Sequence, residues 1–156
     1  MSDYQFVSVW NIAAPVNIVW DIIHDADSWP KWWKGVIRSV ELNKGDPEGL
    51  GSVRRTAWKS ALPYVLEFDS EITRIEHHRL IEARAFGELE GKGLWQFFPE
   101  IDGSTRIQYD WTVNTTKAWM NIIAPVARPI FRWNHDVIMR WGEVGLKKRL
   151  AEMEEG

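Results

Sequence analysis

The first third of the chain passes from a repeat of period two to a repeat of helical period. From Tyr4 to Ile12, apolar and aromatic side chains recur at every second position, which predicts a β-strand. Over residues 15–24 they recur at helical spacing behind a proline, which predicts a helix of about three turns. Asp27 or Ser28 can cap a short helical turn that ends at a glycine, and this turn carries Trp29, Trp32 and Trp33.

Six further strands are predicted after Gly35. They lie near residues 36–43, 51–59, 64–76, 79–87, 92–99 and 104–115. The turn sequences NKGDPEG, ALP, EHHR, GELEG and EIDG separate them, and the Asp102-Gly103 pair is a strong hairpin signal. Parallel neighbours would need long crossover connections, so these short connections predict an antiparallel meander.

The last part of the chain returns to a helical pattern at about Thr116. Pro125 and Pro129 each remove a backbone donor, which predicts a kink or break over 124–129 and a continuous helix over 129–153. A helical wheel at about 100° per residue gives this helix a wide apolar stripe. The stripe contains Ile130, Phe131, Asn134, Ile138 and Trp141, flanked by Trp133, Val137 and Val144.

Asn134 lies near the middle of that stripe, and His135 lies at its edge. A buried amide without a partner costs about 1–3 kcal/mol, so Asn134 is expected to bond to protein, to water or to a ligand. For His135, the pattern favours a hydrogen-bonded boundary histidine over a catalytic one, because no acid or nucleophile stands at helical spacing from it.

Composition excludes several classes of function. The 156 residues hold 11 Trp, 6 Phe and 3 Tyr but no Cys, so disulfides and thiolate chemistry are absent. A net charge of -3 argues against nucleic-acid binding. We expect no metal site, since His77 and His78 are adjacent and diverge, and no cofactor, since no P-loop, GxGxxG, GxSxG or HExxH motif occurs.

Three segments of the chain resemble the START-like (SRPBCC) superfamily, in its bacterial polyketide cyclase/dehydrase-type branch. They are IAAPVNIVWDIIHDADSWPKWW, GKGLWQFFPEIDGSTRIQYDWTV and RPIFRWNHDVIMRWGEVGLKKRL. The resemblance covers nearly the whole chain. It implies an α+β helix-grip fold, with a seven-stranded antiparallel sheet curled around a long C-terminal helix and two short helices after strand 1. It also implies one domain over 1–156 and a cavity for a hydrophobic small molecule between sheet and helix.

Strand alternation assigns inward positions to the predicted sheet. It places Ile107, Tyr109, Trp111 and Val113 on one inner face, and it makes Arg54 and Arg55 point in opposite directions. The candidate ligand-binding residues are Tyr64, Phe68, Trp95, Phe97, Tyr109, Trp111, Asn134, Ile138 and Trp141. By the resemblance, Trp29, Trp32 and Trp33 border the cavity mouth; for any single ring, core packing is the alternative.

Three functions stay open at this level. The first is binding of a lipid, an aromatic or a polyketide-like molecule. The second is an enzyme of cyclase or dehydratase type, with Asn134, His135 or Tyr109 acting on a carbonyl. The third is an interaction module whose exposed tryptophans dock a membrane or a protein. We expect no integral membrane segment and no signal peptide, and a cytoplasmic location; catalytic residues, ligand identity and oligomeric state are left unassigned.

Overall fold

The computed structural model describes residues 3–60, 62–115 and 124–155. Its first elements are β1 (Asp3–Ile12), α1 (Val16–His24), a 3-10 turn (Ala26–Ser28) and α2 (Trp29–Trp32). Six strands follow, β2 (Val36–Asn43), β3 (Val53–Trp58), β4 (Leu66–Glu76), β5 (Leu80–Gly87), β6 (Leu89–Pro99) and β7 (Thr105–Thr115). The last described element is helix α3 (Ala124–Glu155).

The strands form one antiparallel sheet in the order β1-β7-β6-β5-β4-β3-β2. Consecutive strands from β2 to β7 are neighbours, and β1 joins the sheet beside β7 with an unbroken register from Asp3 with Asn114 to Ile12 with Thr105. Strands β1 and β2 are the two edges, so the sheet is curled but not closed. The expected helix-grip α+β fold is confirmed.

Two strand connections test the turn predictions. Asp102 and Gly103 lie in the β6–β7 turn as predicted, where Gly103 has a φ of 88° and the Asp102 carboxylate accepts a hydrogen bond from the Ser104 amide. The predicted GELEG turn is wrong in extent, because β6 begins at Leu89 instead of residue 92. Gly87, with a φ of 107°, makes a tight reversal possible, so the rest of the segment extends the sheet.

Helix α3 corrects the prediction of a break near the prolines. It is continuous from Ala124 to Glu155 with Pro129 inside it. A proline this close to the start of a helix removes only one early backbone hydrogen bond, which the remaining seven or so turns outweigh. The predicted start of the helical pattern at residue 116 falls on 116–123, which lie outside the described residues.

The buried face of α3 is rotated from the predicted stripe. Val137, Ile138, Met139 and Leu146 are buried, whereas Ile130, Trp133 and Val144 are 49%, 49% and 60% exposed. The contact face is centred on glycines and not on the bulkiest side chains. A hydropathy wheel does not identify a face of this kind, because glycine carries no side chain. His135, predicted at the stripe's edge, lies within the contact face with a side chain only 12% exposed.

Two glycines of α3 allow the helix to approach the tryptophans closely. A Cβ on Gly142 would lie 2.6 Å from the Trp10 ring, and one on Gly145 would lie 1.8 Å from the Trp32 carbonyl oxygen. In the same contact, the indole Nε1 of Trp33 donates to the Ile138 carbonyl at 2.9 Å. The helix is therefore held against β1 and α2 by backbone proximity as well as by ring packing.

We expect Gly145→Ala to lower the free energy of unfolding by roughly 2–3 kcal/mol, because the added methyl group meets a carbonyl that cannot rotate away. An alanine at an unobstructed helical site would instead stabilise by about 1 kcal/mol over glycine, so the sign of the change is decisive. Urea unfolding measures it. Lys148→Ala, on the exposed side of the same helix, is the control and is expected to have little effect; a stabilised Gly145→Ala protein would refute the close contact.

Candidate functional site

A cavity of about 120 Å³ lies between α3 and the concave face of the sheet. Most of its wall is aromatic. Its lining includes seven of the predicted ligand-binding residues, Tyr64, Phe68, Trp95, Tyr109, Trp111, Asn134 and Ile138, together with Trp29 and Trp33 from the predicted mouth. The structure therefore brings together seven side chains that the strand and helix patterns indicated and two that the resemblance implied.

Three of the predicted residues do not line this cavity. Phe97 is 2% exposed in the core, where its ring meets Trp20 at 5.0 Å. Trp141 packs under the Lys34 ammonium at 4.6 Å. Trp32 stacks on Trp33 and donates its Nε1 hydrogen to the Ser28 hydroxyl. Alternation for Phe97 and the wheel for Trp141 indicated a direction but no position relative to the cavity, and Trp32 was expected at the mouth from the resemblance alone.

Nine other wall residues are absent from the candidate ligand-binding residues, although the sequence placed Val113 on the inner face, Phe131 in the apolar stripe and His135 among possible catalytic residues. They are Tyr4, Phe6, Trp58, Leu66, Leu89, Val113, Phe131, His135 and Met139. The period-two pattern of β1 contains the signal for Tyr4 and Phe6, because both share the face of Trp10 and Ile12. Leu89 was missed because β6 starts earlier than predicted.

Small residues on β5 and β6 let neighbouring side chains lie close to the backbone of the sheet. Ala83 pairs with Gly93 and Ala85 with Gly91 across β5 and β6, so four adjacent positions carry a methyl group or none. A Cβ on Gly93 would lie 2.5 Å from the Tyr109 hydroxyl, which shows that the tyrosine ring lies over that glycine. A glycine within a strand often marks such a close approach.

Four buried polar atoms at the α3 side of the cavity have no hydrogen-bond partner among the described residues. They are the Tyr4 hydroxyl, the Asn134 Oδ1 and both ring nitrogens of His135. The His135 Nδ1 is 3.8 Å from the Asp136 carboxylate, which is too long for a hydrogen bond. Each such atom costs roughly 1–3 kcal/mol when left unsatisfied, so this cluster favours a polar group placed in the cavity.

The titratable groups in the wall are neutral at physiological pH. Burial lowers the pKa of His135 to about 4, and the nearby Asp136 carboxylate only partly opposes that shift. Burial also raises the pKa of Tyr4, Tyr64 and Tyr109. The imidazole of His135 stacks on the Phe6 ring at 4.4 Å, which keeps it within an apolar environment.

A second cavity of about 100 Å³ adjoins the first on the side of β3 and β4. It resolves the question of which neighbouring arginine is interior. The Arg54 side chain lines it and is 17% exposed, whereas Arg55 is 47% exposed and forms a bidentate ion pair with Asp69 on the other face. The interior arginine is Arg54, so Arg55 is not available as a polar group in either cavity.

Two further observations concern metals and membranes. Within the described ranges 3–60, 62–115 and 124–155, no three His, Asp or Glu side chains lie close enough together to hold a metal ion. In the same ranges, no helix combines the length and the apolar character that a membrane crossing requires.

Residues 5–154 match the family model described as polyketide cyclase/dehydrase and lipid transport. No curated protein sequence matches the chain. Among solved structures, the chain is similar to the Zhui aromatase/cyclase from Streptomyces sp. R1128, at 15% identity over 95% of this chain and 93% of that one, with a TM-score of 0.78.

Two other solved structures have the same fold. A START superfamily protein from Mycobacterium smegmatis is 15% identical over 96% of this chain and 98% of its own, with a TM-score of 0.77. Norcoclaurine synthase from Thalictrum flavum is 11% identical over 95% and 97%, with a TM-score of 0.60. At these identities the likeness establishes a common fold and no common substrate.

We expect His135 to make stability depend on pH. Its folded pKa of about 4 lies below the ordinary 6.5, so between these two pH values His135 is protonated in the unfolded chain but not in the folded one. The contribution of neutral His135 to the free energy of unfolding is fully present above pH 6.5. It is lost as the pH falls towards 4, by up to about 1.4 kcal/mol per pH unit.

Urea unfolding across that pH window should therefore show a slope that is reduced in His135→Gln. His77→Gln, which removes an exposed imidazole from the β4–β5 turn, is the matched control and should keep the wild-type slope. An unchanged slope in His135→Gln would contradict the burial of a neutral imidazole.

Proposed function

The chain belongs to the polyketide cyclase/dehydrase and lipid transport family, within the START-like superfamily, and on that premise we propose that it binds a flat, lipophilic molecule carrying a hydroxyl group. The ligand occupies the cavity between the sheet and α3. The unpartnered polar atoms of Tyr4, Asn134 and His135 carry this proposal, since an apolar molecule alone would leave them unsatisfied.

The chemistry of these atoms defines the ligand group. Asn134 presents an amide oxygen, which needs a donor. Neutral His135 presents one donor and one acceptor, and Tyr4 presents a hydroxyl that can do either. A hydroxyl group can donate to the amide oxygen and accept from a neighbouring N–H or O–H, whereas a ketone or ether can only accept.

The wall favours flat ligands. Trp95 and Tyr109 lie 4.3 Å apart between ring centres, and Trp111 lies parallel to Tyr109 within 20° at 5.9 Å. Aromatic walls of this kind stack on planar apolar molecules, including aromatic and polyketide-like ones. The cavity volume of about 120 Å³ is close to that of an engineered cavity of about 150 Å³ that holds benzene, so one ring fits without rearrangement, and a second fused ring has the adjoining cavity of about 100 Å³ to extend into.

Catalysis is the second candidate function, and one observation favours it. The His135 imidazole is neutral and lines the cavity, with both nitrogens free of protein partners. Such a group can move a proton to or from a bound carbonyl or hydroxyl. Its pKa of about 4 makes it a weak base, so binding is the better supported function. A cyclase or dehydratase activity that is lost in His135→Gln would instead support catalysis.

Filling the cavity should abolish binding. Val113 is 3% exposed and lines the wall, so Val113→Phe places a ring in the cavity. We expect the affinity for 2-naphthol, measured by titration calorimetry, to fall about tenfold or more, since the ring displaces the ligand from a site of similar size. Val7→Phe makes the same change on the outer face of β1, where Val7 is 55% exposed, and should leave binding intact. Equal affinities in the two variants would refute the cavity as the site.

Removing the amide should remove the preference for a hydroxyl. The wild-type protein is expected to bind 2-naphthol about tenfold more tightly than 2-methylnaphthalene, which has the same shape but cannot donate to Asn134. In Asn134→Leu the two affinities should become equal, mainly by loss of 2-naphthol binding. Asn114→Leu on β7 is the control. If Asn134→Leu still binds 2-naphthol more tightly than 2-methylnaphthalene, the Asn134 amide does not bind the hydroxyl group of the ligand.

A further inference from the structure

The second cavity shares much of its wall with the first. Six aromatic side chains border both, Trp29, Trp58, Phe68, Trp95, Tyr109 and Trp111. A ligand in the first cavity therefore lies one ring away from the second. The polar lining of the second cavity is Arg54 and Thr56 of β3, Ser70 of β4, Ser52 just before β3, and His24 at the end of α1.

Arg54 is the one permanently charged side chain among the described residues that line the two cavities. Its Nη1 donates to the Asp27 carboxylate at 2.7 Å and to the Ser39 hydroxyl at 3.1 Å. Within the described part of the chain, Nε and Nη2 have no acceptor. A guanidinium has five N–H donors, so most of its hydrogen-bonding capacity is unused.

Arg55 shows what a structural ion pair on this strand looks like. Its Nε and Nη2 donate to the two carboxylate oxygens of Asp69 at 2.8 and 3.1 Å, which uses the fork of the guanidinium fully. Arg54 has a single contact to Asp27, whose side chain is 69% exposed. Because the Asp27 carboxylate is hydrated, it gains little from pairing with a largely buried guanidinium. This contact therefore does not explain why the Arg54 side chain lies in the second cavity.

Two hydroxyl groups near Arg54 can donate hydrogen bonds to a ligand in the second cavity. Ser70 is the direct neighbour of Arg54 in the β3–β4 register. Thr56, 3% exposed, accepts a hydrogen bond from the Trp58 indole at 2.9 Å, which fixes one ring of the shared wall and leaves the threonine proton free to donate. No carboxylate lines either cavity within the described residues.

We propose that the second cavity is a carboxylate subsite in which Arg54, aided by Ser70 and Thr56, binds the acidic end of a ligand whose apolar body contacts the shared aromatic wall. The inference rests on the proposed function and names its ligand class, a lipophilic carboxylic acid. An arginine with a free fork beside an apolar chamber is suited to this group, because carboxylates bind guanidinium in a bidentate manner.

The test compares 2-naphthoate with 2-acetylnaphthalene, which have nearly the same shape and differ in charge. Titration calorimetry should show that Arg54→Gln weakens 2-naphthoate binding about tenfold or more while changing 2-acetylnaphthalene binding less than about twofold. Arg55→Gln removes the same charge from the next residue and should affect neither probe. Asp27→Asn removes the competing carboxylate at an exposed site and should tighten 2-naphthoate binding.

Two results would overturn the subsite. One is equal weakening of 2-naphthoate by Arg54→Gln and Arg55→Gln, which would mean a long-range charge effect. The other is unchanged 2-naphthoate binding in Arg54→Gln. Either result leaves the proposed function standing when both probes still bind the wild-type protein and Val113→Phe abolishes their binding. Failure of the wild-type protein to bind either probe would overturn the subsite and count against the proposed function as well.

Discussion

The close approach of α3 to the tryptophans of β1 and α2 determines the rest of the structure. At Gly142 and Gly145 the helix backbone reaches the Trp10 ring and the Trp32 carbonyl at distances that leave no room for a methyl group. This contact holds the later half of α3 tightly on the edge of the sheet. The earlier half, from Phe131 to Ile138, lies across the first cavity from aromatic side chains of β4, β6 and β7. Tight packing at one end of the helix therefore adjoins open space at the other.

The aromatic residues divide between these two regions according to depth. Trp10 and Trp20 are 2% exposed and build the core through edge contacts such as that of Trp20 with Phe97 at 5.0 Å. Trp58 and Tyr109 are of the same chemical type but border empty space. A wall built from rings loses contacts on its open side, and a ligand that stacks there restores them. The same residue class thus supplies stability in one region and binding capacity in the other.

The sequence predicts the fold well, because periodicity and turn chemistry are local signals. All seven strands, both early helices and the antiparallel order follow from alternation, short connections and residues such as Asp102 and Gly103. Nine of the twelve candidate site residues line the cavity: strand alternation indicated Tyr64, Phe68, Trp95, Tyr109 and Trp111, the helical wheel indicated Asn134 and Ile138, and the family resemblance implied Trp29 and Trp33. Phe97, Trp32 and Trp141 lie elsewhere because these signals give the direction of a side chain but not its position along the strand or helix relative to the cavity. The rotated face of α3 has a related cause: glycine counts as featureless in a hydropathy pattern, yet Gly142 and Gly145 mark the contact of the helix backbone with Trp10 and Trp32.

The electrostatics of the two cavities give the site a direction. The first is neutral, because burial keeps His135 unprotonated and the tyrosines protonated, so in the proposed function a ligand would be selected there by shape and by hydrogen bonds to Tyr4, Asn134 and His135. The second contains one guanidinium, Arg54, with unused donors. A neutral apolar body costs little to transfer from water, whereas a carboxylate is costly to bury unless it meets a cation. A molecule with a charge at one end therefore has a strong preference for one orientation, because reversing it would place the carboxylate in the neutral cavity and leave Arg54 without a partner. Orientation of the ligand follows from the asymmetry of the two cavities and does not require a catalytic group.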